Sequence, residues 1–190
     1  MRTRDEVKQE ALFRATVKMV NQIGFAASSV SKIAKEAGIS PATLYIYHKN
    51  KEDLLVSTYV EIKKLMGQAV QREFNPDRPV RDILAQVWRN VFGFVAEHPA
   101  YFQYMEQFAA SPYADLVDRQ AVEAYFEPVI KVIYQGMAQK VIKNVSLDII
   151  TAFIFHPILA LASPRMCESF ELNRENLETA FCLAWDAIRA

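Results

Sequence analysis

Residues 28–55 read SSVSKIAKEAGISPATLYIYHKNKEDLL, and this stretch decides the fold of the N-terminal part of the chain. Ser28 or Ser29 can cap a short helix, because a serine oxygen can accept a hydrogen bond from a free backbone N–H of the first turn. Gly38 supplies the positive φ that a tight exit from that helix needs. The first half of the stretch therefore predicts a short helix followed by a sharp turn.

A second helix is predicted to begin directly after the turn. Ser40 is a good N-cap, and Pro41 fits the first helical position, where its missing N–H costs nothing. Leu44 faces back onto the first helix, so four other residues face outward: Ala42, Thr43, Ile46 and Tyr47. The outward face of the second helix of a helix-turn-helix enters the major groove. DNA is therefore the first partner to consider.

The same residues resemble the DNA-binding signature of the TetR family of transcriptional regulators. Two positions depart from the family pattern, since Ala42 replaces a frequent glycine and His48 replaces the usual phenylalanine. The resemblance covers roughly the first 65 residues and implies binding to double-stranded DNA at an inverted-repeat operator. The residues that carry it are Ile33-Ala34, Ala37-Gly38-Ile39-Ser40, Thr43-Leu44-Tyr45, Tyr47-His48 and Lys51-Glu52-Asp53-Leu54.

The predicted DNA contacts divide into base-reading and backbone-binding residues. The exposed first turns of the second helix are expected to read bases, mainly through methyl contacts. Lysines, tyrosines and a capping serine are expected to bind phosphates, while His48 either packs in place of the phenylalanine or reaches a phosphate. The predicted DNA-binding residues are Ser28, Ser29, Lys32, Ser40, Pro41, Ala42, Thr43, Tyr45, Ile46, Tyr47, His48, Lys49 and Lys51.

Charge is unevenly distributed along a chain whose formal net charge is zero. Residues 1–65 contain 11 Lys and Arg against 7 Asp and Glu, and residues 66–190 contain 11 against 15. The first segment therefore has a surplus of four positive charges and suits phosphate, whereas the second does not.

The rest of the sequence predicts helix after helix, giving an all-α fold of about nine helices. We expect an N-terminal three-helix DNA-binding domain over residues 1–50, with a connecting helix running from Lys51 to about Phe74. Residues 51–190 then form a helical C-terminal domain. Pro128 should interrupt a helix over about 112–141, and Pro157 should bend one over about 146–162.

The family layout implies that the C-terminal domain binds a ligand and dimerises through its last two helices. Both helices carry wide apolar stripes, which serve either a partner or only the core of the monomer. The predicted interface residues are Phe153, Phe181, Trp185 and Ile188.

Large aromatic side chains are concentrated between residues 88 and 134. Such a set can line an apolar cavity with a few polar groups, although core packing explains any single member better than ligand contact does. The predicted ligand-binding residues are Trp88, Phe92, Met105, Phe108, Tyr125 and His156.

The sequence offers no catalytic constellation, metal site or cofactor motif. Its three histidines are scattered, and it lacks a Gly-rich phosphate loop. The charged N-terminus and the lack of an 18-residue apolar run predict a cytoplasmic protein that does not contact the membrane.

These features predict a homodimeric regulator, expected to be a repressor that a small, mostly apolar effector releases from DNA. Two alternatives remain open. The first is a constitutive DNA-binding dimer with a solid core. The second is a helical carrier of apolar molecules that has lost DNA binding.

Overall fold

The computed structural model of the chain describes residues 4–163 and 166–190. All regular elements of these residues are helices, and a single backbone bridge pairs Ile142 with Arg189. The prediction of an all-α fold is confirmed. The described chain divides into two compact units, which we call the first and the second unit.

The first unit comprises the described residues up to Leu65 together with His98–Val122. Two segments distant in sequence therefore share one unit. A short 3₁₀ helix, Pro112–Leu116, precedes its last helix. Its helices are α1 (Arg4–Ala27), α2 (Val30–Glu36), α3 (Pro41–Tyr47), α4 (Lys51–Val70) as far as Leu65, α6 (Pro99–Ala109) and α7 (Arg119–Glu123) up to Val122.

The core of the first unit fixes the angle between α2 and α3. Ile33, Ala34 and Leu44 are completely buried, and they pack with residues of α1 and α4 such as Leu12 and Leu54. Ala34 is small enough to let the two helices approach closely. The helix-turn-helix is therefore part of a solid core.

Helix α6 packs within the first unit through aromatic side chains. The hydroxyl of the buried Tyr104 donates to the backbone oxygen of Leu55 at 2.9 Å. The rings of Phe108 and Tyr59 stack with their centres 4.3 Å apart, and Phe25 of α1 lies edge-on to Tyr104. These contacts join α6 to α1 and to the first half of α4.

The second unit comprises Met66–Glu97 and the described residues from Glu123 to Ala190. Its core is most concentrated on the helix Val80–Glu97, which buries residues such as Leu84, Trp88 and Phe92. A short 3₁₀ helix spans Ala124–Phe126. Its helices are the end of α4, α5 (Val80–Glu97), α8 (Glu127–Ala138), α9 (Leu147–Ile154), α10 (His156–Ala162) and α11 (Arg174–Ile188).

Two predicted helices are subdivided in the structure. The segment after Ser111 contains two 3₁₀ turns and the short α7 before α8 begins at Glu127. Pro157 acts as predicted, but its effect is a break at Phe155 between α9 and α10, because proline cannot donate the helical hydrogen bond and its ring crowds the preceding turn.

The connecting helix ends earlier than expected, at Val70 instead of near Phe74. The side-chain amide of Asn90 donates to the backbone oxygens of Val70 and Arg72 at 3.2 and 2.8 Å, and so satisfies carbonyls left free at the helix end. The two compact units do not coincide with the two expected functional domains. The expected domain boundary near residue 50 stays a prediction.

Candidate nucleic-acid interface

Local residues define both ends of α3, the candidate recognition helix. Ser40 Oγ accepts a hydrogen bond from the backbone N–H of Thr43 at 3.1 Å, and it lies 2.9 Å from Thr43 Oγ1. Pro41 occupies the first helical position. The helix ends after Tyr47, because His48 adopts extended backbone angles.

The outward face of α3 is exposed and largely apolar. The exposed fraction is 76% for Ile46 and 54% for Tyr45, and Ala42 is also exposed, whereas Leu44 is completely buried. Exposed apolar side chains grouped on one face of a helix favour a contact with another molecule. Methyl groups of this kind can contact thymine methyls in the major groove.

The turn before α3 has the geometry that the sequence predicted. Gly38 has a φ of 69°, a left-handed conformation that favours glycine over residues with a Cβ. The backbone N–H of Ile39 then donates to the carbonyl of Ala34 at 3.0 Å. This turn sets the position of α3 against α2.

The cap of α2 is Ser29, whose side chain accepts from the backbone N–H of Lys32 at 3.3 Å. Ser28 has a different role, since it is completely buried and its hydroxyl donates to the carbonyl of Gly24 at 2.7 Å. A buried hydroxyl cannot reach a phosphate. We therefore correct the predicted set of DNA contacts by removing Ser28.

Two predicted phosphate-binding lysines meet the C-terminal end of α1. Lys51 Nζ donates to the carbonyl of Phe25 at 2.7 Å, and Lys32 Nζ donates to the carbonyl of Ala27 at 3.1 Å. These carbonyls follow Gly24, whose φ of 75° interrupts α1, and the two ammonium groups satisfy them as backbone acceptors. Each ammonium has three donors, so each can hold a carbonyl and still bind a second acceptor.

Tyr47 is attached to α1 through its hydroxyl, which donates to Asp5 Oδ1 at 2.9 Å. Its ring packs against the core of the first unit. This corrects the prediction that Tyr47 faces outward, because Tyr45 is the tyrosine of α3 that projects into solvent. No local pattern in the sequence indicates Asp5, which lies 42 residues before Tyr47.

A capping arrangement joins α3 to α4. The side chain of Asn50 accepts from the backbone N–H of Asp53 at 2.7 Å, and Asp53 Oδ2 accepts from the backbone N–H of Lys49 at 3.1 Å. The spacing of Asn50 and Asp53 is that of a capping box, which a closer reading of the sequence would have found. The side chain of Lys49 remains exposed next to this cap.

His48 is half buried, with Nδ1 3.3 Å from Asp53 Oδ2. Burial lowers the pKa of His48 below 6.5, and the nearby Asp53 carboxylate opposes this shift. This environment supports packing in place of the family phenylalanine over contact with a phosphate.

The predicted ligand-binding residues do not fall in one unit. Trp88 is completely buried in the second unit, where its Nε1–H donates to the carbonyl of Ile154 at 2.7 Å and its ring lies 5.4 Å from that of Phe92. Met105 and Phe108 are buried in the first unit.

The other two predicted ligand residues lie in the second unit, outside its main core. Tyr125 packs against α4 at Gly67, where a Cβ would lie 2.8 Å from that of Tyr125. His156 is exposed at the first position of α10, so its side chain takes no part in a buried hydrogen bond.

The predicted dimer-interface residues fall into a buried group and an exposed one. Phe181, Trp185 and Ile188 are only 6%, 6% and 1% exposed because they face the core of their own unit. They cannot face a partner, which corrects the sequence-based interface. Phe153, in contrast, is 56% exposed.

Neither a metal centre nor a membrane span is found in the described part of the chain. Over residues 4–163 and 166–190, no three His, Cys, Asp or Glu side chains are grouped so as to hold a metal ion. None of the helices described is both long and apolar enough to cross a bilayer.

Family models match both parts of the chain. The model of bacterial regulatory proteins of the tetR family matches residues 12–58, and that of the tetracyclin repressor-like C-terminal domain matches residues 79–189. The first match contains α2 and α3, and the second covers more than half of the chain.

Individual relatives agree with the family models. A TetR family transcription regulator from Marinobacter aquaeolei VT8 is 36% identical, with a TM-score of 0.89 over 100% of this chain and 99% of that one. An uncharacterized HTH-type transcriptional regulator of Haemophilus influenzae is 25% identical over 95% of both chains.

A more distant solved structure shares the fold. It is the transcriptional regulator FadR from Bacillus subtilis in complex with stearoyl-CoA, which is 19% identical with a TM-score of 0.72 over 94% of this chain and 97% of that one. Because the family models cover both the helix-turn-helix and the helical C-terminal part, the chain belongs to the TetR family of helix-turn-helix transcriptional regulators.

Proposed function

We propose that this regulator is a homodimeric repressor that binds an inverted-repeat operator and leaves it when a small, mostly apolar effector binds. The observation that carries the DNA-binding part is the exposed apolar face of α3, with Ile46 76% exposed, beside the lysines of α2 and α4. The surface combines base-reading methyl groups with cations for the phosphates.

The first turns of α3 are proposed to contact the bases. Ala42 and Ile46 offer methyl groups, while Pro41 and Thr43 flank them with the Thr43 hydroxyl already paired to Ser40. Few strong bidentate donors are present, so specificity depends on methyl contacts and DNA shape. The proposed phosphate contacts are Ser29, Lys32, Ser40, Tyr45, Lys49 and Lys51.

Dimerisation is proposed on the exposed apolar face of α9 and α11. Ile149 and Phe153 are 49% and 56% exposed one turn apart on α9, and Leu183 is 69% exposed on α11. The two helices pack against each other within the second unit. Two copies of this pair would bury the face in a four-helix arrangement, and their two-fold symmetry would match an inverted repeat.

The effector is proposed to bind the helical C-terminal domain. The similar fold of FadR from Bacillus subtilis in complex with stearoyl-CoA supports an apolar effector. The effector would release DNA by binding more tightly to a conformer in which the two recognition helices are wrongly spaced for successive major grooves. Its differential affinity for that conformer sets the strength of induction.

A constitutive, effector-independent DNA-binding dimer is the second candidate. The close packing of Trp88, whose ring contacts Phe92 and Phe181 and whose N–H is satisfied by Ile154, favours it. A thermal-shift screen with apolar compounds distinguishes the two candidates, because an effector raises the melting temperature by mass action and lowers operator affinity.

Selection of duplexes from a random DNA pool by the purified protein tests the DNA-binding function. We expect an inverted repeat whose half-sites lie about one helical turn apart. Ile46→Ser should change or abolish the enriched sequence. Tyr134→Ser removes a large exposed side chain from α8 and should leave it unchanged. Failure to enrich any sequence would contradict the proposal.

A further inference from the structure

A groove of about 690 Å³ lies in the second unit between α5 and α11. Its volume falls within the range of roughly 300–1,000 Å³ that is usual for small-molecule sites. None of the residues predicted to bind the effector lines it. Its lining residues are Arg81, Ala85, Arg89, Leu172, Asn173, Arg174, Leu177, Glu178, Phe181 and Cys182.

The two helices supply matching faces. On α5, Arg81, Ala85 and Arg89 follow one another at four-residue intervals, so one side of the helix carries two guanidinium groups with a small residue between them. The methyl group of Ala85 leaves room at the middle of this wall. On the opposite side, α11 contributes the apolar side chains of Leu177 and Phe181.

Three guanidinium groups face this groove and only one carboxylate opposes them. Arg174 Nε donates to Glu178 Oε1 at 2.9 Å, and this pairing, with a smaller contribution from Arg89, lowers the pKa of the Glu178 carboxyl. Glu178 therefore stays ionised and neutralises one cation. A surplus of two positive charges remains over an apolar floor.

Arg81 is held in place at the other end of the groove. Its guanidinium carbon lies 5.5 Å from the centre of the Phe181 ring, and Nη2 lies 3.7 Å from Cys182 Sγ. Stacking on a ring orients a guanidinium while leaving its N–H groups free to bind an anion. The groove thus combines an oriented cation with apolar walls.

We propose that this groove binds a small amphiphile with an anionic head group and an alkyl tail. The head group pairs with the guanidinium groups of Arg89 and Arg174, and the tail covers Leu177 and Phe181 beside Ala85. A purely apolar molecule would leave the arginines unused, and a simple anion would leave the apolar walls in water.

The site is placed to affect the dimer. Helix α11 lines the groove with Leu177 and Phe181 and presents Leu183 on the proposed partner face. A ligand that shifts α11 would therefore change the proposed interface. This effect on DNA rests on the proposed function, whereas binding of the amphiphile does not.

The test is calorimetric titration of the full chain, without DNA, with three compounds that share an eight-carbon tail: octanoate, 1-octanol and octyltrimethylammonium. We expect octanoate to bind at least about tenfold more tightly than the other two, because only its head group pairs with the arginines. Octanoate counts its carboxylate carbon among the eight, and we expect its tighter binding to weaken as salt is raised.

Matched variants locate the site. Arg174→Gln and Arg89→Gln should each weaken octanoate binding by about five- to tenfold. Lys131→Gln is the control, because Lys131, like Arg174, is an exposed cation with an acidic partner four residues away on a helix. It should leave the affinity unchanged.

Absence of octanoate binding, equal affinity for the three compounds, or equal affinity in the two arginine variants and the wild type would each overturn the proposal. Selection of an operator by the same preparation would show in each case that the proposed DNA-binding function stands while the ligand site does not.

Discussion

At the scale of single residues, the hydrogen bond from Tyr47 to Asp5 fixes the last turn of the recognition helix to α1. A tyrosine at the end of α3 would, on sequence alone, be assigned to the DNA backbone. The structure instead gives its hydroxyl an acceptor on another helix of the same chain. We infer that Asp5 is a positioning residue for α3.

Tyr47→Phe and Asp5→Ala should therefore each weaken operator binding by a small factor, about fivefold or less, since the pair is exposed. The double variant should be no weaker than either single one, because both changes remove the same contact. Fluorescence anisotropy with labelled operator measures the three affinities. Additive losses would mean that the two residues act independently.

His48 makes the stability of the helix-turn-helix depend on pH. Because burial lowers its folded-state pKa below the ordinary 6.5, the unfolded chain binds more protons between the two values, and stability falls as the pH drops through this window. The loss is complete below the folded-state pKa.

Relative to the wild type, His48→Phe should therefore lose less stability between pH 7 and pH 5. Urea titrations at each pH measure the difference. His156→Phe replaces an exposed histidine and serves as the control, which should follow the wild type. If His48→Phe and the wild type lose stability in parallel, the histidine is not responsible.

At the scale of helices, the features that depend on neighbouring residues, such as caps and turns, were predicted correctly from the sequence. Ser40, Pro41 and Gly38 determine a cap, a first turn and an exit within a few positions, and the structure has each of them as predicted. Asp5 and the carbonyl of Ile154, which satisfies Trp88, come from distant segments that no local pattern connects.

Hydrophobic periodicity was least informative about the dimer interface. It identified an apolar stripe on α11 containing Phe181, Trp185 and Ile188, but the core of the same chain covers that stripe. Periodicity shows that a face is buried and does not show what buries it. The exposed Leu183 on another face of α11 was therefore missed.

Leu183→Glu and Phe153→Glu should convert the dimer to monomer, because each places a charge in an apolar contact while leaving the protomer core intact. Sedimentation velocity measures the mass, and circular dichroism confirms that the chain is folded. Tyr134→Glu, a similarly exposed position on α8, should remain dimeric.

A dimer in both interface variants would place the contact elsewhere. Substitution of the buried Phe181 or Trp185 would not test the interface, since those changes damage the core.

At the scale of the whole molecule, we assign phosphate binding and base reading to different residues of the same unit. Lys51 lies at the start of α4 with its ammonium on the end of α1, and Ile46 projects from α3. The first is expected to bind any DNA, and the second only a cognate sequence.

The most direct test compares the affinities of wild type, Lys51→Ala and Ile46→Ala for the selected operator and for a scrambled duplex at several salt concentrations. Lys51→Ala should weaken binding to both duplexes by the same factor and reduce the salt slope by about one unit. Ile46→Ala should weaken only operator binding, by roughly 1–3 kcal/mol. If neither variant differs from the wild type on either duplex, α3 and α4 do not form the DNA-binding surface.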